Sequence, residues 1–168
     1  MDVAALLVEL YGRVPPLAKD AVDGLDVARL CERPAEGANT IAWLVWHVAR
    51  VQDHHISELL DTDQLWAGGS WAKRFGLAPD PHNTGYGHTP KDVAEIRPDR
   101  SETLLDYVDA THQRALGFIE TLDPSALDRI VDRRWDPPVT LGVRLVSVAD
   151  DSLQHVGQAA YVRGLLRV

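Results

Sequence analysis

The chain has 168 residues, 45% of them hydrophobic and 25% charged, with a formal net charge of −8. These are globular rather than disordered proportions, and the length fits one domain, expected over 1–168, that buries roughly two thirds of its unfolded surface. Basic residues number 17 against 25 acidic ones and are scattered, so the electrostatic footprint of nucleic-acid binding is missing.

No apolar run reaches the ~18 residues of a membrane span, so no membrane partner is expected. The opening MDVAALLVELYGR has acidic residues inside its apolar stretch and no basic leader, unlike a signal peptide. A cytoplasmic location is the expectation. Cys31 is the single cysteine, which excludes an internal disulfide and a thiolate-cluster metal site. Arg29 and Arg33 flank it, but the segment offers no base to form a nucleophile pair, and Cys31 is read as structural. A phosphate-cradling glycine loop is also absent.

The first helical pattern covers about Val3 to Val22, with Leu6, Leu7, Leu10, Val14, Leu17 and Val22 near helical spacing. Pro15-Pro16 interrupts it, so a kinked helix and two short ones are both allowed. The second helix is the clearest: Asn39 or Thr40 caps it, and TIAWLVWHVARVQDHHISELL runs to about Leu60. Its stripe is Ile41, Leu44, Val45, Val48, Gln52, Ile56 and Leu59. Residues 65–100 are broken by glycines and prolines and read as a long crossover of short helices and loops. A third helix starts at Ser101-Glu102 and runs to about Leu122. The last opens near Thr140, with the stripe Leu141, Leu145, Ala149, Ser152, Val156 and Ala160. Strand-like alternation is confined to the neighbourhood of Arg129 to Trp135. The whole predicts an all-α four-helix bundle with a long crossover between its second and third helices.

In the last helix Asp151 and His155 stand four apart, on one face and about a turn from each other. A carboxylate and an imidazole so placed form a two-ligand platform for a divalent ion. The second helix offers His47, His54 and His55, and those seven or eight apart are separated by ~10–12 Å, too far to share an ion. One histidine from this helix would complete three ligands with an open position, the arrangement of a catalytic metal site. The periodicity leaves His47 and His55 both open. Of the other candidates, His88 is read as a residue at a helix start rather than a fourth neighbour. His82 and His112 read as ordinary, partly exposed residues. The five tryptophans read as core or interface, and Arg163 as a packing or salt-bridge residue as readily as a contact for an anionic substrate.

The segments NTIAWLVWHVARVQDH, WAKRFGL, TGYGHT, KDVAEI and LQHVGQAAYVRGLL resemble the DinB superfamily, and closest its branch of small actinobacterial-type proteins. The resemblance covers nearly the whole chain. It implies a four-helix bundle holding a divalent metal, zinc or nickel, between one histidine of the second helix and an i, i+4 pair of the last. Carried over by position, the ligands fall on His47, Asp151 and His155. The common family pattern has histidine where this chain has Asp151. The resembling mycothiol-dependent maleylpyruvate isomerases have glutamate there, and aspartate is one methylene shorter. Direct coordination, coordination through water, and support of His155 therefore all stand open for Asp151.

The expected function is a metal-dependent S-transferase or isomerase that joins a small thiol, such as mycothiol as cosubstrate, to a small electrophile. The alternatives are a non-catalytic metal- or ligand-binding bundle and a metal-dependent hydrolase whose base would be His54 or Asp53. A homodimer is expected from the resemblance.

Overall fold

Asp2 opens α1 (Val3–Tyr11) by accepting a hydrogen bond from the Ala5 amide. The helix breaks at Gly12-Arg13, and α2 (Val14–Val22) follows with Pro15 and Pro16 in its first turn. A proline there lacks an N–H that no helical partner would have used, so the pair starts a helix instead of kinking one. The break also resets the helical phase. Leu7, Tyr11, Val14, Ala18 and Val22 are buried, while Leu6 and Leu17, assigned to the stripe from spacing, face solvent.

A computed structural model of the chain describes residues 1–167. After α3 (Val27–Leu30), α4 (Ile41–Leu60) is capped by the Thr40 hydroxyl, which accepts from the Trp43 amide, and ends at Asp61 in the left-handed region. The crossover holds three short helices: α5 (Leu65–Gly68), α6 (Trp71–Arg74) and α7 (Pro90–Glu95), the last with a Thr89–Asp92 capping box. α8 (Glu102–Ile119) follows, then a 3₁₀ turn (Pro124–Asp128). The predicted alternation near 129–135 supplies β1 (Ile130–Asp132), which pairs antiparallel with β2 (Val139–Thr140). α9 (Leu141–Leu166) starts immediately, capped by Thr140.

The bundle is α1–α2, α4, α8 and α9, with α4 packed on both α8 and α9. α4 and α9 run antiparallel: His47 lies beside Asp151 and His155, whereas His55, two turns on, lies beside Arg144. One core cluster gathers α2, the first half of α4, the crossover and the last half of α9 around Trp46 and Trp66. The other gathers α1, Ile56, Ile119, Leu141 and Leu145. Every residue of α4 from Ile41 to Arg50 is buried, because the crossover covers the face that the bundle leaves open. No helix among the described residues is long and apolar enough to cross a membrane.

Candidate metal centre

Where α4 crosses α9, ligand atoms of His47, Asp151 and His155 all lie within 4.8 Å of one another. His47 Nδ1 is 2.5 Å from the Thr84 carbonyl oxygen, and His155 Nδ1 is 2.8 Å from the carbonyl of Asp151, one turn earlier. A carbonyl can only accept, so both Nδ1 atoms carry a proton, and in the neutral form of each ring the lone pair is on Nε2. The Asp151 carboxylate stands between the rings: Oδ1 is 3.7 Å from His47 Nε2 and 3.6 Å from His155 Nδ1, and Oδ2 is buried with no hydrogen-bond partner. The backbone carbonyl of Asp151, not its carboxylate, therefore orients His155, which leaves the carboxylate unspent. Two imidazole lone pairs and an orphaned carboxylate oxygen form a donor set that suits a divalent ion of the zinc or nickel kind.

The crossover fixes His47. Gly85 has φ +98°, and a Cβ there would sit 2.7 Å from His47 Nδ1 and 3.0 Å from Trp43, so only glycine lets the loop close over the imidazole. Trp43 stacks on the face of the same imidazole, with ring centroids 4.8 Å apart. One turn along α4, the fully buried Arg50 gathers the same loop. It donates from Nε to Asn83 O, from Nη1 to Asp53 and Tyr107, and from Nη2 to Gln64 and Pro81 O, which uses all five N–H donors. Asp53 also accepts from the Tyr107 hydroxyl and from the amides of Leu65 and Trp66.

The three residues close one end of a cavity of about 550 Å³, two of them, His47 and Asp151, among its lining. Val51 and Val148 line its wall, and Tyr86 and Trp135, both exposed, lie at its lip. At the far end Asp132 binds Arg134 through both oxygens, at 2.9 and 2.8 Å, and Arg144 at 2.8 Å. The hydrogen bonds from Arg134 hold the Asp132 carboxyl well below the usual carboxylate range. Burial, then Arg144 and His54, lower the His55 pKa to about 3, so its ring is neutral at physiological pH.

A crystal structure of a conserved protein from Enterococcus faecalis matches this chain with a TM-score of 0.92 at 32% identity, covering 99% of this chain and 98% of that one. The DinB superfamily matches residues 11–159. The chain belongs to the DinB superfamily. No curated protein matches it. Within this DinB bundle, His47 meets Asp151 and His155, and His55 lies at the other end of the cavity against Arg144. Periodicity alone had left that choice open.

A second group, His54, His55 and Glu58, also brings ligand atoms within 4.8 Å of one another. It is less suited to a cation, because Arg144 stands 3.5 Å from His55 and Arg134 stands 3.8 Å from Glu58, while His54 Nδ1 is engaged by Gln64. His88 sits at the start of α7 and joins neither group. Its Nδ1 accepts from the Trp43 indole and its Nε2 bonds Asn83, so it braces the site from behind. His112, expected to be partly exposed, is buried in α8. Trp43, Trp46 and Trp66 are core, whereas Trp135 is exposed. Arg163 donates to the carbonyls of Asp20 and Asp23 at the end of α2, a packing role. Asp53 is committed to the Arg50 network and Cys31 packs against the core, its thiol pKa raised by burial. Sequence reasoning missed Thr84, Gly85, Asp132 and Arg144. Of these only Arg144 had a signal, seven residues before Asp151 and so on the same face of α9.

Proposed function

We propose that this chain is a divalent-metal-dependent enzyme that joins a small thiol, of the mycothiol type, to a small electrophile, with His47, Asp151 and His155 as the ligands. The observation that carries the reading is the cluster of ligand atoms of His47, Asp151 and His155 within 4.8 Å of one another at a cavity, with both histidine Nδ1 atoms spent on backbone carbonyls and Asp151 Oδ2 buried without a partner. When bound, zinc or nickel would supply a Lewis acid that lowers the pKa of a thiol brought to its open position.

The chain's own residues orient and exclude. Thr84 and the Asp151 carbonyl fix the two ring tautomers, and Gly85 and Trp43 both pack against His47. Val51 and Val148 keep the wall apolar. The cavity contains no cysteine, and the hydroxyl of Ser147, which lines it, is spent on the Val143 carbonyl. This supports a nucleophile brought by a cosubstrate: its sulfur forms the new bond to carbon as the electrophile's leaving group departs with its bonding pair, and the thiol proton passes to solvent. A hydrolase would need a base at the metal, and Asp53, one of the two side chains considered for that role, is spent in the core.

Elemental analysis of untagged protein beside His155→Ala tests the reading first. About one zinc or nickel per chain, lost in the variant, is the expected result. A thiol-dependent shift in the visible spectrum of the cobalt-loaded protein then supports the transferase. A tightly held ion whose spectrum ignores thiols would instead indicate a non-catalytic metal-binding bundle.

A further inference from the structure

The end of the cavity away from the three ligands carries its own chemistry. Arg144 projects from α9 seven residues before Asp151, on the same face and about 10 Å along the axis. Its side chain is only 12% exposed. One terminal nitrogen donates to Asp132, and the other lies 3.5 Å from His55 Nε2. Among the described residues no partner takes its Nε–H or the remaining hydrogens of the fork. Asp132 is shared by two guanidiniums, so one positive charge at this end lacks a buried counter-charge. Glu58 answers Arg134 only from the exposed rim, at 3.8 Å. His55 adds no charge, because its Nε2 faces a permanent cation and must be the acceptor.

We infer that Arg144 is the anion subsite of this cavity, and that the electrophilic substrate is a small organic acid whose carboxylate docks on its guanidinium. The apolar body of the acid lies along Val51 and Val148 under Tyr86 and Trp135, and its reacting end reaches His47, Asp151 and His155. The assignment of the reacting end rests on the metal-dependent reading above; the carboxylate subsite does not. A planar fork with free donors, largely withdrawn from water, suits a carboxylate. A cavity of about 550 Å³ suits a molecule of drug size or smaller.

The test uses 4-phenylbutyrate and its uncharged amide as probes of the full chain, stripped of metal by a chelator. Binding is followed by NMR through the Trp135 indole N–H and the Arg144 Nε–H. The acid is expected to bind at least about tenfold more tightly than the amide, a difference of about 1.4 kcal/mol. Arg144→Gln should reduce acid binding to the level of the amide, and Arg144→Lys should restore part of it. Equal binding of acid and amide to the parent chain overturns the proposal without any variant, so a poorly folded Arg144→Gln does not protect it. Acid binding that appears only with zinc and vanishes in Asp151→Asn also overturns it, since the carboxylate would then sit on the metal. Acid binding that survives in a chain unable to take zinc upholds the subsite and removes the metal-dependent reading alone.

Discussion

Arg50 donates to the carbonyl of Asn83 at 2.9 Å, one residue before the Thr84 carbonyl that receives His47. The side chain that anchors the crossover to α4 therefore sets the position of the group that orients a candidate ligand. Arg50→Met would take from the buried Asp53 carboxylate its nearest cation, leaving Arg114 at 3.9 Å, and would release Asn83 and Pro81. Breaking a buried pair from one side costs about 3–5 kcal/mol. Urea denaturation should show a loss of that size, with zinc affinity falling in the same variant. A loss below about 1 kcal/mol, the worth of an exposed pair, would contradict this account.

Gly85→Ala should weaken metal binding without unfolding the chain. The added methyl would meet His47 Nδ1 at 2.7 Å, in a backbone conformation at φ +98° that already strains alanine. Loss of a group that orients a ligand typically costs about 10–100-fold in metal affinity. Gly87→Ala supplies the control, because Gly87 has φ +75° with nothing within 4 Å of its added Cβ. Competition for zinc against a chelator should separate the two variants. Equal affinities would mean that the loop does not set His47.

Asp151→Asn keeps the shape of the side chain and removes its charge. If Oδ2 is a direct ligand, zinc affinity should fall by at least the roughly 10–100-fold expected from supporting residues. Asp151→Glu should keep more of it. Calorimetry on both variants decides, and an Asp151→Asn chain that binds zinc like the parent would make the carboxylate a bystander.

His55 makes the apo protein sensitive to mild acid. An unfolded histidine titrates near about 6.5, and in the fold this one is lowered to about 3 by burial and Arg144. Protonation therefore favours the unfolded chain. The contribution is fully present above the unfolded value and is lost as pH falls toward the folded one. By pH 5 the loss amounts to about 2 kcal/mol, at about 1.4 kcal/mol per pH unit. Asp132, held low by Arg134, has not begun to protonate there. Urea midpoints at pH 7 and pH 5 should diverge less for His55→Gln than for the parent. Identical divergence would assign the acid sensitivity elsewhere.

Much of this architecture was legible in the sequence because it is local. Thr40 and Thr140 announce the starts of α4 and α9, and the spacing of Asp151 and His155 already puts them on one face. What stayed hidden depends on segments far apart in the chain. The buried second face of α4 comes from the crossover, to which Trp46, Arg50 and Asp53 turn, so a stripe read along α4 alone undercounts its burial. Periodicity could not choose His47 over His55, which the family resemblance alone favoured; the physical reason lies in the antiparallel register of α4 against α9. In the first helical pattern, Gly12-Arg13 shifted the phase that a continuous helix would have kept, and Leu6 and Leu17 fell outside.

The two histidines of the centre owe their orientation to contacts of very different reach. His155 bonds a carbonyl four residues back in its own helix, whereas His47 bonds one 37 residues on, in the crossover. Asp151 and His155 thus form a half-site that exists as soon as α9 is helical. His47 joins it with its lone pair correctly aimed only after the loop has docked. Any event that lifts residues 81–88 from α4 would leave two candidate ligands in place and turn the third loose, so the affinity of the candidate centre for an ion would report whether the crossover is seated.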